Sequence, residues 1–535
     1  MKLLFHKPLH SKNAAGIVKM CEAVGVECEL TSSDARLFRY DYDILVANAS
    51  YVDPRIVPPH VKIVYGPQHW VFPSGPLTVA DDVLSRRAVY NSLSPWNAEV
   101  LASLGLKIPI VQFPFSVDVD RFKPLPVKTF DCIVYYKNRP KALLDAVTDV
   151  LRAAGLRMMV YTYGTYQEHY FLHDLQHCKF MVVLDAHESQ GFALQEAMAC
   201  NVPLLVLDAS TMHDEQPASG PPTYAATMAE HPLTATSVPY WSEECGIRIR
   251  TVEEFAPALE RMRGEWESFA PRNYVLRTLS PFACGTRILK GLDLPLPPRV
   301  TLVSGASQNH FKSLKQLAAT ALPHVDDLVL YDLGLDAASV AELQTKFRGA
   351  SVRRFDFGAW PDWYDIRVEA GQWAWKSAIL AEVSAAAAAA ADPRPHILLW
   401  CDAGNYVNDL KALRAWTAAN RVYSPVSEGN GHWLMHPSTV SYFLAQGGPV
   451  DLSRRNRNGA TLAFRIDDAD VRALVDEYAA ACAIREFIAP PGSNRSNHRQ
   501  DQSVFTLLYY KFFWAHPAYK TCDEELGIAY HKDID

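Results

Sequence analysis

Two carboxylates, Glu188 and Glu196, stand eight positions apart on either side of the expected start of a helix. A buried strand is predicted over 180–184, a helix over 191–200, and a second apolar run follows that helix. This strand–loop–helix–strand unit is typical of doubly wound α/β domains. Ligands in such folds bind at the carboxyl ends of strands and on helix N-termini. Both carboxylates can therefore face a ligand there, and Gly191 leaves backbone N–H groups open to a phosphate.

The segment 185–206 as a whole resembles the E-x7-E motif of retaining glycosyltransferases with the GT-B fold, especially the large family four. The resemblance implies that Glu196 holds the ribose of a nucleotide and that Glu188 contacts the donor sugar. It places Gly191 and Phe192 in the same donor-binding segment. An ordinary amphipathic helix with one solvent-facing Glu is the alternative interpretation.

A group of cations, Lys137, Arg139 and Lys141, follows the predicted strand 131–136. Family-four enzymes place an Arg and a Lys near this point to neutralise the donor diphosphate, so the resemblance makes these three residues the candidates. Such cations are needed because negative charge grows on the departing diphosphate as the glycosidic bond breaks. The Gly-Arg pair usual in the family is absent, so the choice among the three stays open, as does a solvated basic loop.

Two further positions could contact a donor because each follows a predicted strand. His69 comes after the strand 61–65, and Gly164 ends the strand that begins at Met159. A satisfied loop histidine is the alternative for His69. The passage 113–124 resembles the crossover between the two domains of family-four enzymes, with Ser116 in place of the usual Gly.

In the second half of the chain, Asp402 stands at the carboxyl tip of the predicted buried strand 396–401. This segment resembles the D-x-D region of GT-A glycosyltransferases, whose acidic pair chelates a divalent cation that bridges the donor phosphates. Gly404 stands where the second Asp would be. The resemblance implies Mn²⁺ or Mg²⁺ on Asp402, with His531 or Asp409 as a further ligand. A helix cap or turn former is the alternative role for a lone strand-end Asp.

Three more residues of this half carry the same resemblance. Asp332 and Lys376 lie in segments similar to a GT-A-like group, and both are expected at the donor site. Asp501 resembles the acidic residue that opens a helix in several GT-A families, where it reaches the acceptor or donor sugar. It could also be the N-cap of that helix.

The elements that must position these residues alternate between apolar strands and helices along 535 residues, so an α/β fold class is predicted. A Pro-rich joint at 292–299 marks the clearest boundary. A terminal helix over 269–292 is expected to pack back on the first domain. The predicted organisation is an N-terminal GT-B unit of two Rossmann-like domains, joined to a C-terminal GT-A-like domain, with the bounds 1–115, 116–292 and 298–535.

Net charge and Cys usage indicate which partners and which compartment are expected. A net charge of −7 gives no overall attraction to nucleic acid or to an anionic membrane. The ten Cys form no C-x-x-C pair, which favours reduced thiols and a cytoplasmic setting. No signal peptide and no membrane-spanning run is visible in the sequence.

The sequence therefore predicts a bifunctional glycosyltransferase that moves sugars from UDP- or GDP-sugars to a growing glycan acceptor. The N-terminal module is expected to retain configuration by front-face attack without a cofactor, and the C-terminal module to use a divalent cation. Three alternatives remain: one active module beside a positioning domain, a sugar-nucleotide epimerase, and a glycan-binding scaffold without turnover.

Overall fold

A computed structural model describes residues 1–8, 11–67, 87–216, 233–388 and 392–534. The chain divides into two compact units, Met1–Pro295 and Leu296–Asp535, and the division falls inside the Pro-rich segment 292–299. Parallel Rossmann-like sheets confirm the predicted α/β class. No helix among the described residues is both long enough and apolar enough to cross a membrane.

The first sheet lies in the unit Met1–Pro295 and has six parallel strands in the order β2-β1-β3-β4-β5-β6. Its four inner strands are short and largely buried, which is the pattern of a parallel sheet covered by helices, whereas the two edge strands are partly exposed. They are β1 (Lys2–His6), β2 (Glu27–Thr31), β3 (Ile44–Ala47), β4 (Lys62–Tyr65), β5 (Ala88–Ser92) and β6 (Ile110–Gln112), with helices α1 (Ser11–Val24) and α2 (Pro95–Ser103).

The second sheet of this unit has five parallel strands in the order β11-β10-β9-β7-β8. The chain starts at β7, adds β8 on one side and β9 on the other, so β7 and β9 flank the topological switch point where such sheets bind ligands. The strands are β7 (Phe130–Lys137), β8 (Met158–Thr162), β9 (Cys178–Asp185), β10 (Leu204–Leu207) and β11 (Gly246–Ile249), with helices α3 (Lys141–Ala153), α4 (Glu168–His177), α5 (Phe192–Ala199) and α6 (Phe255–Glu265).

The single terminal helix predicted over 269–292 is wrong, because this segment forms two helices, α7 (Pro271–Thr278) and α8 (Pro281–Gly291). Pro281 has no N–H and holds the preceding residue in an extended conformation. The Ser280 hydroxyl then accepts the Ala283 N–H and caps α8. The expected return to the first domain is confirmed, since a Cβ at Gly285 would collide with the carbonyl of Met20 in α1.

The unit Leu296–Asp535 is built on a mixed sheet in the order β14-β13-β12-β15-β20-β17. Strands β14, β13, β12 and β15 are parallel, whereas β20 runs antiparallel to β15 and β17 antiparallel to β20. The chain begins at β12, adds β13 and β14 on one side and then β15 on the other. The topological switch point of this sheet therefore lies between β12 and β15.

The sheet strands of this unit are β12 (Arg299–Ala306), β13 (Asp327–Asp332), β14 (Ser351–Arg354), β15 (His396–Cys401), β17 (Val422–Tyr423) and β20 (Thr461–Arg465). Two short ribbons pair β16 (Tyr406–Val407) with β21 (Ile528–Ala529) and β18 (Val426–Asn430) with β19 (Arg455–Arg457). Its helices are α9 (Phe311–Ala321), α10 (Ala337–Lys346), α11 (Ala374–Ala388), α12 (Lys411–Asn420), α13 (Gly431–Leu434), α14 (Pro437–Ala445), α15 (Ala469–Cys482), α16 (Arg485–Ile488) and α17 (Gln500–Ala515).

A left-handed turn over Glu369–Trp373 leads into α11. All of Glu369, Ala370, Gln372 and Trp373 have φ between 49° and 57°, and Gly371 has φ 60°. Left-handed helical backbone costs an L-residue roughly 1–2 kcal/mol. A run of such residues persists only where the surrounding fold enforces it, and strained residues of this kind cluster at functional sites.

Two candidate functional sites

The first site lies at the switch point of the second sheet. Lys137 ends β7, Asp185 ends β9, and the two residues are register partners. The Lys137 ammonium lies 2.7 Å from Oε1 of Glu188 and 3.7 Å from Oδ2 of Asp185. Burial acts to lower the pKa of Lys137, but the two facing carboxylates outweigh it and raise that pKa. Burial also raises the pKa of Asp185 well above its usual range. The site is therefore a lysine held between two carboxylates at the carboxyl ends of two neighbouring strands.

Glu196 lies inside α5 and is nearly enclosed, with its side chain 4% exposed. Its Oε1 accepts a hydrogen bond of 2.6 Å from the ammonium of Lys12, which belongs to α1 beside the first sheet. Lys12 also contacts Glu168 at 3.1 Å. Burial raises the pKa of Glu196 to about 7, and Lys12 opposes that rise. The two sheets of this unit therefore meet at a carboxylate that titrates near neutrality.

The loop between the two Glu is held from both sides. The Gln190 side chain donates 2.7 Å to the carbonyl of Phe115 and accepts 2.9 Å from its N–H. The indole of Trp96 donates 2.8 Å to the carbonyl of Glu188. Gly191 adopts φ 82° at the N-cap of α5, which an L side chain rarely does. Both carboxylates are thus positioned by rigid neighbours.

The other residues predicted for this site lie in different settings. Arg139 is buried and donates 3.1 Å to the carbonyl of Asp185, so it supports the strand end. Lys141 is exposed and pairs with Asp145 one turn along α3. Gly164, at φ 77°, turns the chain after β8, and Phe192 opens α5. His69 lies outside the described residues.

The second site lies at the end of β15. The Lys376 ammonium is 3.2 Å from Oδ1 of Asp402 and 3.2 Å from Oδ2 of Asp501, and it donates 2.9 Å to the carbonyl of Gly459. Trp400 donates 2.6 Å to the same Oδ1 of Asp402. Among the described residues this leaves Oδ2 of Asp402 without a hydrogen-bond partner, and the side chain is 41% exposed. Asp402 is therefore the member of the group that a substrate can reach.

Asp501 lies deeper than Asp402. It is 5% exposed, and its Oδ2 accepts 3.2 Å from the hydroxyl of Tyr478. Burial raises the pKa of Asp501 against the lowering effect of Lys376. The N-cap position of α17 is Arg499, and the Asp501 carboxylate is turned to Lys376 and Tyr478, so the N-cap alternative for Asp501 is wrong.

Two cavities meet at Asp402. The switch-point cavity, of about 590 Å³, lies between the ends of β12 and β15. A second cavity, of about 510 Å³, lies toward the start of α17 and is called the arginine cavity because Arg455, Arg495 and Arg499 line it. Both are lined by Trp373, Asp402, Ala460, Arg495 and His531. A reacting atom beside Asp402 is therefore accessible from either cavity.

Gly404, where a second acid was expected, has its space filled from elsewhere in the chain. A Cβ at this position would stand where the carboxylate of Asp533 lies. The N–H of Lys532 donates 2.6 Å to the carbonyl of Gly404, which anchors the tail segment after β21. Asp533 and Asp402 line the same switch-point cavity.

The donor set around Asp402 does not make a resident metal centre. Within the described part of the chain, no group of three or more His, Cys, Asp or Glu is arranged to hold an ion. Oδ1 of Asp402 is in contact with the Lys376 ammonium and the Trp400 indole N–H. A metal ion on this oxygen would have to displace them. Hard divalent cations need several oxygens, so any ion here would depend on oxygens carried by a ligand.

The remaining predicted residues of this half divide between cavity and turn. His531 lines both cavities. Asp332 accepts the N–H groups of Gly334 and Leu335 at 2.8 and 2.6 Å, which closes a turn after β13. Asp409 accepts the Lys411 N–H at the start of α12.

Several site residues were absent from the sequence prediction. Lys12 is 184 positions from its partner Glu196, and no spacing rule connects residues so far apart. Asp533 reaches Gly404 only because β21 pairs with β16. A signal for Asp185 was present, because it is the acidic residue that ends the buried run before Glu188.

Comparison with known proteins gives only partial likenesses. No protein-family model matches the chain, and no curated protein matches its sequence. Among solved structures, AviGT4, a glycosyltransferase involved in avilamycin A biosynthesis, is 13% identical, with 54% of this chain and 96% of that chain covered and a TM-score of 0.36. HepE from Anabaena, in complex with UDP and glucose, is 14% identical, with 55% and 99% covered and a TM-score of 0.34.

A third neighbour, sucrose-phosphate synthase from Thermosynechococcus elongatus, is 11% identical, with 55% and 98% covered and a TM-score of 0.33. Similarity at this level, limited to about half of the chain, does not assign an activity. The case for function rests on the geometry of the two sites.

Proposed function

We propose that the unit Met1–Pro295 is a GT-B glycosyltransferase that binds a nucleotide diphosphate sugar at the switch point between β7 and β9. One observation carries the proposal. Glu188 lies in the loop before α5 and Glu196 lies within α5. Each forms an ion pair with a Lys from another element, Lys137 and Lys12 respectively. An acid can hold a ribose or sugar hydroxyl, and a lysine can hold a phosphate.

The two ion pairs suggest how the donor is received. When it binds, ribose hydroxyls would replace Lys12 on Glu196, and the diphosphate would draw Lys137 away from Glu188. Glu188 is then free to accept a hydrogen bond from the donor sugar. Lys137 would then take the place of the family's missing Gly-Arg pair. Arg139 donates to the Asp185 carbonyl, and Lys141 pairs with Asp145 at the surface.

We further propose that this transfer retains configuration by front-face attack. The acceptor oxygen bonds to C1 as the bond from C1 to the diphosphate breaks. The acceptor proton passes to the departing diphosphate, whose growing charge Lys137 offsets. Glu188 holds the sugar and is not needed as a nucleophile.

The test is release of nucleoside diphosphate from a panel of UDP- and GDP-sugars, with the anomeric form of the product read by NMR. Glu188→Gln and Glu196→Gln should each lower the rate at least about tenfold. The control Glu260→Gln changes an exposed surface pair with Arg263 and should leave it unchanged. Full turnover after both site changes, with the second site silenced by Asp402→Asn, contradicts the proposal.

A second function is favoured by the group Lys376, Asp402 and Asp501, which stands at the switch point of its own sheet. We propose that Leu296–Asp535 is a GT-A-like module that performs a second transfer, so that the chain is bifunctional on a glycan acceptor. Oδ2 of Asp402 would accept the acceptor hydroxyl's hydrogen bond, with Lys376 and Asp501 as positioning residues. Asp402→Asn should abolish one sugar addition and leave the other intact.

A divalent cation stays a prediction for this module, on the condition that the donor diphosphate supplies some of its oxygen ligands. Residues that would meet such an ion are Asp402, His531 and Asp533, and the ion would offset phosphate charge. Transfer in the presence of Mn²⁺, Mg²⁺ or a chelator measures that dependence.

The alternatives give different results in simple assays. An epimerase changes the donor sugar without an acceptor, which product analysis with donor alone detects. A glycan-binding scaffold binds no nucleotide by calorimetry. If only one module is active, then either Asp402→Asn or the pair Glu188→Gln and Glu196→Gln has no effect on any sugar addition.

A further inference from the structure

The arginine cavity contains three guanidinium groups that lack carboxylate partners. Arg455, Arg495 and Arg499 line it. In the described part of the chain none of the three forms an ion pair within 4.0 Å, and Arg455 makes a single long contact of 3.4 Å to the Ser427 carbonyl. Three guanidinium groups therefore line one cavity without an acid paired to any of them.

Other arginines of this unit are paired with acids. Arg457 pairs with Asp523 at 3.0 Å and Arg454 with Asp451 at 3.3 Å. Arg421 pairs with Asp468 at 2.9 Å. Acidic partners are thus available in this unit and are absent, among the described residues, at the three cavity arginines, which leaves these arginines available to an external anion.

The acids of the cavity do not supply that counter-ion. Asp402 and Asp501 share the ammonium of Lys376, at 3.2 Å each. Glu428, the other acid in the wall, is exposed and makes no ion pair with the three arginines. With Lys376 and its two acids counted together as one negative charge, the three arginines and Glu428 leave the wall with a net positive charge.

An aromatic surface lies beside these arginines. The guanidinium of Arg495 stands 5.6 Å from the ring centre of Trp373, which is within cation–π range. Trp373 ends the left-handed turn Glu369–Trp373, so a strained backbone positions its ring. Guanidinium groups match carboxylate and phosphate oxygens in pairs, and aromatic rings pack on sugar faces.

We infer that the arginine cavity binds an anionic sugar, which carries a phosphate or a carboxylate, as the acceptor of the second transfer. The role of this sugar as an acceptor rests on the proposed function, whereas its binding in the cavity does not. The donor then occupies the switch-point cavity between β12 and β15, the usual ligand position of such sheets. Both ligands meet at Asp402, which lines both cavities.

The experiment is calorimetry on the full chain with three probes: glucose 6-phosphate, glucuronate and neutral glucose. At least one anionic sugar should bind about tenfold more tightly than glucose, because charge-assisted hydrogen bonds are roughly twice as strong as neutral ones. Binding of glucose 6-phosphate alone identifies the phosphate as the anchor, and binding of glucuronate alone identifies the carboxylate. Raising NaCl should weaken either complex.

Variants locate the site. Arg455→Gln and Arg499→Gln, which line the arginine cavity and not the switch-point cavity, should each weaken the anionic sugar about fivefold or more. The control Arg348→Gln changes an exposed arginine after α10 that does not line the cavity, and it should not weaken the sugar. Thermal unfolding of each variant verifies folding, and Arg455 is exposed, so its change leaves the fold intact.

Equal affinity for glucose and both anionic sugars would overturn the inference, and so would unchanged binding in both cavity variants. Competition of UDP for the same variant-sensitive site would also overturn it, since the arginines would then hold the donor. Failure of the proposed function is distinguishable, because it removes nucleotide-sugar turnover and leaves these binding curves as they are.

Discussion

At the scale of single residues, the N-terminal site is a set of charges that balance one another until a ligand arrives. Lys137 stands between Asp185 and Glu188, and Lys12 caps Glu196. Buried charges are costly unless paired, so each cation stabilises the acid it faces. The sequence predicted the two Glu from their spacing, and it predicted Lys137 among three candidates. It could not predict Lys12, because that contact depends on how two sheets pack.

The raised pKa of Glu196 predicts a pH effect on stability with a definite sign. The folded-state pKa of about 7 lies above the ordinary value of 4.5, so this residue's contribution is fully present below pH 4.5 and is lost as the pH rises through 7. Glu196→Gln stays neutral, and it should gain about 1–3 kcal/mol relative to the wild type between pH 5 and pH 8. Urea unfolding across this range measures the difference.

The control for this effect is Glu168→Gln, an exposed partner of the same Lys12. Its stability should follow that of the wild type within about 0.5 kcal/mol at every pH. Parallel pH curves for Glu196→Gln and the wild type would show that the Glu196 carboxyl titrates normally.

Removal of the Lys376 ammonium should expose the cost of the buried Asp501. Lys376→Met leaves an acid that is 5% exposed without its cation, and we expect a loss of about 3–5 kcal/mol in the free energy of unfolding. The double variant Lys376→Met with Asp501→Asn should recover much of that loss. A double-mutant cycle in urea measures the coupling, and strictly additive losses would contradict the pairing.

At the scale of elements, strands were predictable because parallel strands buried on both faces appear as continuous apolar runs. The strands β4, β7, β9 and β15 were predicted this way, within a few residues. The break between α7 and α8 had a signal in Ser280-Pro281, but the apolar content of 269–292 favoured one helix. The left-handed turn before α11 had none, because four of its five residues are not glycine.

That turn gives a prediction at its central glycine. A Cβ at Gly371 would stand where the carbonyl oxygen of Tyr364 lies, and φ is 60°. Gly371→Ala should therefore lower the free energy of unfolding by more than about 2 kcal/mol and weaken ligand binding beside Trp373. The matched control is Gly447→Ala, where φ is 76° but nothing lies within 4 Å of the added atom. It should lose only about 1 kcal/mol, and equal losses would mean that the Tyr364 contact is unimportant.

At the scale of the whole molecule, each compact unit carries its candidate site at a switch point between two parallel strands. In the first unit the site is at β7 and β9, and in the second at β12 and β15. Ligand sites at such points follow from topology, since neighbouring loops there turn to opposite faces of the sheet. The sequence predicted both strand ends. It missed Asp533 and the three cavity arginines, because their positions follow from tertiary packing alone.

An exchange of acids tests the packing around Gly404. Gly404→Asp places a side chain in the space of Asp533, so it should displace residues 528–534 and lower the transfer proposed for the second unit about tenfold. Adding Asp533→Gly should relieve the conflict and recover transfer. Hydrogen exchange of the tail amides reports the displacement independently of activity, and unchanged exchange in the single variant would contradict the packing.

The position of Asp533 also bears on how proteins of this kind are recognised. A scan of linear motifs finds Asp-Ala-Gly at 402–404 and would class the unit as a pseudoenzyme that has lost its second acid. In three dimensions an acid does stand over Gly404, contributed by a distant part of the chain. Absence of a second acid from the linear motif is therefore weak evidence that no second acid lies at such a site, until the residue that occupies that space has been identified.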